Sequence, residues 1–196
     1  KKHPSVHQPY FQKVFIGPSY KNNREEALAL DVLQEIISGG PTTRIYKSLV
    51  VDQKIAVSAG MSYHGGNLDY GTLWTYGTPN NDTPLKELEK AIEVEINNVI
   101  KNGVTEEEVK DAIQRLKDSA IYARDSLTGP AMIIGRSLTK GQTLEQIENW
   151  PTDISKVTAK QVQEVAAKYL DPENPWHRAP LAGYLMPEEA SKENKE

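Results

Sequence analysis

The chain contains no cysteine. Disulfides, thiolate metal sites and a thiol nucleophile are therefore excluded. That absence leaves the compartment open. Histidine is scarce as well: His3, His7, His64 and His177 are the full complement. A hydrolytic zinc site needs about three nitrogen or oxygen ligands around one point. The usual device is two histidines on one helix face with a glutamate between them. His3 and His7 have helical i,i+4 spacing, but Pro4 and Pro9 flank them and no glutamate lies between. The expectation is a flexible leading segment, because proline disfavours helix at and before its position. His64 falls in a turn and His177 in a proline-rich loop, so no catalytic zinc site is expected in this chain.

Other absences narrow the field further. No apolar run approaches the ~20 residues that a membrane helix needs. The net charge of -4 is mild and acidic, which argues against nucleic acid as a partner. No nucleophile-elbow motif surrounds any serine. "SGGPTTR" (38–44) has glycines, hydroxyls and an arginine ahead of a helix, yet it lacks lysine at phosphate-loop spacing and joins two helices. The chain opens "KKHPSVHQPY", with neither an initiator Met nor an apolar leader, and is expected to be a piece of a longer polypeptide.

What is present suits one domain. The 196 residues are 38% hydrophobic and 26% charged, enough to bury a core. "YFQKVFIG" (10–17) alternates as a strand does. Asn23 is a good helix N-cap, and Glu26 three residues on completes a box-like start. Leu28, Val32, Leu33, Ile36 and Ile37 then lie near helical spacing up to Gly39-Gly40. A shorter helix covers about 43–52. Strands at about 54–64 and 68–77 flank "HGGN", a hairpin signal. Thr83-Pro84 opens a helix with Leu85, Leu88, Ile92, Ile96, Val99 and Ile100 in one stripe. Thr105–Glu108, Thr143–Gln146 and Thr158–Gln161 are three capping boxes, the first opening a long helix to about 126. A helix at about 131–139 follows Gly129-Pro130. "PLAGYLM" (180–186) closes the chain as a strand, and 188–196 form a charged tail expected to be disordered. This order gives an α+β fold: a mainly antiparallel sheet with helices on one face.

Two stretches invite functional readings. In "IYARDSLTGPAMIIGRSL" (121–138), Arg124, Asp125 and Arg136 flank a helix break. They suit either contact with another domain or a helix corner with an internal ion pair. In "SLVVDQKIAV" (48–57), Val50, Val51, Ile55 and Val57 cluster as buried positions do, so the segment needs no chemistry to explain it.

"SGGPTTRIYKSLVVDQKIAVSAGMSY", "GTLWTYGTP", "NGVTEEEVKDAIQRLK", "YARDSLTGPA" and "GQTLEQIENWPTDISKVTAKQVQEVAAKYLDP" follow one another in a recognisable order. Together they resemble the second, non-zinc domain of peptidases of the M16 family (pitrilysin and mitochondrial processing peptidase), above all the short bacterial two-subunit members. The resemblance runs from about residue 5 to 187. It implies a LuxS/MPP-like metallohydrolase fold, with 1–187 as a single C-terminal domain of a longer subunit. It implies that zinc and its H-x-x-E-H motif belong to a first domain elsewhere on the polypeptide, and that this domain has no catalytic or metal-binding residue and is inactive alone. The implied partners are that zinc-bearing domain, a second M16-type subunit and a peptide substrate held in a chamber, in the bacterial periplasm or envelope. In the family's complementing half an Arg and a Tyr seven apart hold substrate. Here those positions are Val50 and Val57, so the pair is missing. Arg44, Tyr46 and Arg124 are the remaining candidates for substrate or interdomain contact. The alternative is a structural core-protein-like subunit or a protein-binding module on the same fold.

Overall fold

The computed structural model describes residues 1–124 and 128–188. Five strands form one sheet: β1 (Lys2–His3), β2 (Tyr10–Gly17), β3 (Ala56–His64), β4 (Gly71–Pro79) and β5 (Leu181–Pro187), in the order β1-β5-β2-β4-β3. All pairings are antiparallel except the short parallel one between β1 and β5. The helices are α1 (Arg24–Ser38), a wide π-wound helix (Tyr46–Asp52), α2 (Leu85–Asn102), α3 (Glu106–Arg124), α4 (Gly129–Thr139), α5 (Leu144–Glu148), α6 (Trp150–Ile154) and α7 (Ala159–Leu170). The α+β expectation, a mainly antiparallel sheet clad by helices, holds. Residues 189–196 of the expected tail, and Asp125, lie outside the described residues.

Strand register divides the sheet into two unlike faces. Phe11 lies opposite Gly77, Lys13 opposite Thr75 and Phe15 opposite Leu73, while Met61 and Tyr63 continue the same rows on β3. These apolar side chains are buried beneath the helices. Helix α1 is apolar almost all round, with Ala27, Leu28, Leu30, Val32, Leu33, Ile36 and Ile37 buried, as a helix enclosed on several sides must be. It lies among β3, α3, α6 and α7. Helix α2 presents the expected stripe of Leu85, Leu88, Ile92, Ile96 and Val99, and Gly103, at φ +74°, ends it.

The connection between β3 and β4 is fixed by close backbone approach. A Cβ at Gly71 would come within 1.9 Å of the Pro18 carbonyl oxygen, so only glycine fits there. Three Thr-led boxes cap helices as their spacing predicts: Thr105 with Glu108, Thr143 with Gln146 and Thr158 with Gln161. Asn23 also caps α1, accepting from the Glu26 amide at 3.2 Å. The Glu26 side chain departs from the box, because its carboxylate is held by Lys168 at 2.6 Å and by the Tyr169 hydroxyl. A cation and a phenol on α7 outcompete one backbone amide, and the result ties α1 to α7.

The leading segment is not free. Lys2 and His3 pair in parallel with Met186 and Pro187, and the Lys1 backbone nitrogen donates to the Tyr184 carbonyl at 2.6 Å. Pro4 and Pro9 prevent a helix there, as expected, but an extended pair of residues needs no helix to find a sheet edge.

Candidate functional site

Arg44 and Tyr46 sit where the chain turns from the Gly39-Gly40 loop into the wide helix. The Arg44 guanidinium faces inward to α3. Its Nε donates to Glu108 Oε1 at 2.7 Å and one Nη to Oε2 at 2.8 Å, a bidentate fork. The same nitrogen reaches the Gly103 carbonyl at 3.4 Å. Arg44 hydrogen-bonding, followed by the Thr105 amide, holds the Glu108 carboxyl below its ordinary range. Glu108 thus caps α3 and anchors the loop at once. Next to it, Arg115 donates to Glu35 at 2.7 Å, a second clamp between α3 and α1.

Tyr46 opens the wide helix with its ring partly exposed. Arg124 is the last residue of α3, sixteen positions beyond Glu108, or about 24 Å along the axis at 1.5 Å per residue. The three candidates therefore do not form one cluster. Arg44 is engaged within the domain, Tyr46 faces solvent, and Arg124 stands at the far end of α3.

The "SLVVDQKIAV" segment differs from its expected burial. Val50 and Ile55 are half-buried, whereas Val51 and Val57 are about half exposed, at 50% and 53%. The wide helix has more residues per turn than the 3.6-residue period assumes, and two residues past its end Lys54 has a φ of +55°. Of Val50 and Val57, the two positions where the resemblance looks for an Arg and a Tyr, Val50 packs against the core and Val57 meets solvent.

The histidines are dispersed. His3 Nδ1 accepts from the Ser5 amide, His64 packs edge-on against Trp74 at 4.6 Å, and His177 stands against Phe15 and the Tyr169 carbonyl. Among the described residues no three of His, Asp or Glu converge on a point where a metal ion could sit. The residues present do not fit a zinc ion.

Sequence reasoning missed the second face of the sheet. On that face Leu185 lies beside Tyr10, Leu181 beside Val14 beside Trp74, and Gly183 beside Gln12 beside Tyr76. Ile16 continues the row at the strand end. Leu181 is 78% exposed and Ile16 51%, and among the described residues no helix covers them. The signal was present in "YFQKVFIG": Tyr10, Val14 and Ile16 fall on alternate positions from Phe11 and Phe15, so both faces of β2 are apolar.

The first 116 residues match the family described as the peptidase M16 inactive domain. The chain belongs to this family. A relative of this M16 domain is the uncharacterized zinc protease YmxG of Bacillus subtilis, 25% identical over 145 residues, covering 72% of this chain and 34% of the relative. The chain thus spans about a third of that curated relative's length. Among solved structures, a protease from Helicobacter pylori aligns with a TM-score of 0.84 at 17% identity, over 95% of this chain and 43% of the other. A solved inactive peptidase domain from Bordetella parapertussis aligns at 0.80 and 14% identity, over 95% and 97%. The periplasmic protease PqqL of Escherichia coli aligns at 0.71 and 16% identity, over 95% and 20%. These likenesses establish the fold, and the Bordetella chain shows that a unit of this length adopts it by itself.

Proposed function

We propose that this M16 inactive domain is the C-terminal wall of a zinc metallopeptidase subunit, inactive alone. Its companions are a zinc-bearing first domain on the same polypeptide and a second M16-type subunit. The observation that carries the reading is the uncovered sheet face. A monomeric domain gains nothing from leaving Leu181, Leu185 and Ile16 in water, whereas a chamber wall that receives unfolded peptide needs apolar surface. The face has no charged side chain in its Leu181, Val14 and Trp74 row, so it suits extended segments of varied sequence better than one charged motif. Zinc, when bound by the first domain, supplies the Lewis acid for hydrolysis. This chain supplies shape and apolar contact, with His64 packed beside Trp74 on the same face. The envelope location rests on the resemblance and on the periplasmic PqqL neighbour.

Peptidase activity and zinc content, measured on this chain and on the longer polypeptide with its partner subunit, test the reading. The expected result is zinc and cleavage in the assembly and neither in this chain. Stoichiometric zinc with cleavage by this chain alone would refute it.

A further inference from the structure

The helix-facing side of the sheet is mostly apolar, but Lys13 and Thr75 interrupt it, directly opposite each other on β2 and β4. Above them α2 carries Glu89, Glu93 and Asn97 at four-residue spacing, and so on one flank. The two carboxylates share the Lys13 ammonium, Glu89 at 2.6 Å and Glu93 at 2.5 Å. Glu89 also accepts the Tyr184 hydroxyl at 2.9 Å and is nearly enclosed. Glu93 is half exposed, and among the described residues only one of its oxygens is engaged.

A cavity of about 270 Å³ opens beside this pair. The buried side chains of Phe15, Ile96 and Leu170 give it an apolar floor, and Pro172 and Pro180 of the α7–β5 connection add to its wall. Its polar lining is Lys13, Thr75, Glu93, Asn97 and His177. His177 is held by the Phe15 ring and by the Tyr169 carbonyl, 3.2 Å from its Nδ1. A carbonyl only accepts, so in the neutral imidazole Nδ1 carries the proton and Nε2 is left as an acceptor.

The lining says what fills such a space. At about 30 Å³ each, roughly nine waters would fit, and each needs about three polar partners. The polar side chains here are too few for that, with Lys13 and Glu93 already paired and the floor apolar. An apolar body on the floor with one polar head suits both parts of the lining. Charge selects the head. Two carboxylates around one ammonium leave the site net negative. An anionic head would meet Glu93 and a lysine already shared. An ammonium would donate to the free oxygen of Glu93 and find further acceptors in the Asn97 side chain and His177.

We propose that this cavity binds a small organic cation, an ammonium group on an apolar body about the size of a phenethyl group. The inference stands apart from the peptidase reading, because the cavity lies on the helix side of the sheet and not on the open face. Proton–nitrogen correlation NMR of this chain at neutral pH tests it with phenethylamine, phenethyl alcohol and phenylacetate, probes of similar bulk and different charge. The expected result is saturable shifts of the Phe15, Thr75, Ile96 and His177 amides with phenethylamine, at a Kd of about 1 mM. The alcohol and the acid should bind at least about fivefold more weakly. Glu93→Gln should reduce phenethylamine to the level of the alcohol and leave the alcohol unchanged, a contrast that general damage to the fold does not produce. Asn97→Trp, at an exposed position of α2, should block phenethylamine and the alcohol alike. Equal affinity for the three probes would overturn the cation assignment, as would Glu93→Gln binding phenethylamine as the parent does. No shift at these amides at phenethylamine concentrations well above that Kd would overturn the site itself.

Discussion

Two carboxylates with opposite environments show how single residues set the behaviour of this domain. Asp31 accepts the Tyr20 hydroxyl beneath the Arg24 guanidinium, and burial pushes its carboxyl up to about 7 although both neighbours pull it down. A raised acid binds more protons folded than unfolded between its ordinary 3.8 and about 7. Stability therefore falls as pH rises through that window. Asp31→Asn keeps an acceptor for Tyr20 and removes the titration, so its melting temperature should vary less between pH 5 and pH 8 than that of the parent. An unchanged pH profile would show that Asp31 does not carry the dependence. Glu108 works in the other direction. Its depressed carboxyl stabilises the fold above its ordinary range, and that contribution is lost as pH falls through the folded value. Arg44→Ala removes the bidentate pair and should cost about 1 kcal/mol in urea denaturation at pH 7, with Arg44→Lys recovering less than half, because an ammonium cannot fork.

Elements whose chemistry is local were legible in the sequence. The threonine boxes at Thr105, Thr143 and Thr158 open helices where the spacing places them, since a capping hydroxyl and its partner lie three residues apart in any fold. Thr158→Ala should cost about 1 kcal/mol of stability in thermal or chemical unfolding, whereas Thr152→Ala, which caps nothing, should be nearly silent. What failed was decided by distant partners or by non-standard periods. Glu26 left its box for Lys168 and Tyr169, 142 and 143 residues away. The Val51 position was misread because a π-wound helix departs from the 3.6-residue period, and Val57 because it falls at a register shift between Ala56 and Ser58 in β3. The two-residue strand β1 is too short to leave a periodic signal. Of the candidate contacts, the position of Arg44 before a helix was readable, but its engagement with Glu108 depends on how α3 docks.

At the scale of the whole molecule, the sheet separates two tasks that its strands carry on alternate residues. Leu73 faces the helices and is fully buried, while Leu181, two strands away in the same sheet, is 78% exposed. Stability should therefore depend on one face and the proposed chamber function on the other. Leu73→Ala removes buried methyl groups and leaves a cavity, with an expected loss of about 3 kcal/mol. Leu181→Asp places a charge where the side chain is already in water, and its stability should change by no more than about 0.5 kcal/mol. If the open face is a wall that meets peptide, Leu181→Asp in the assembled peptidase should raise KM for an unfolded substrate severalfold, because a carboxylate repels apolar segments from the row shared with Val14 and Trp74. The kcat at saturation should hold, since the face touches no reacting atom. The same substitution costing several kcal/mol in the assembled enzyme, with KM unchanged, would show that another structural element covers this face and that peptide never reaches it.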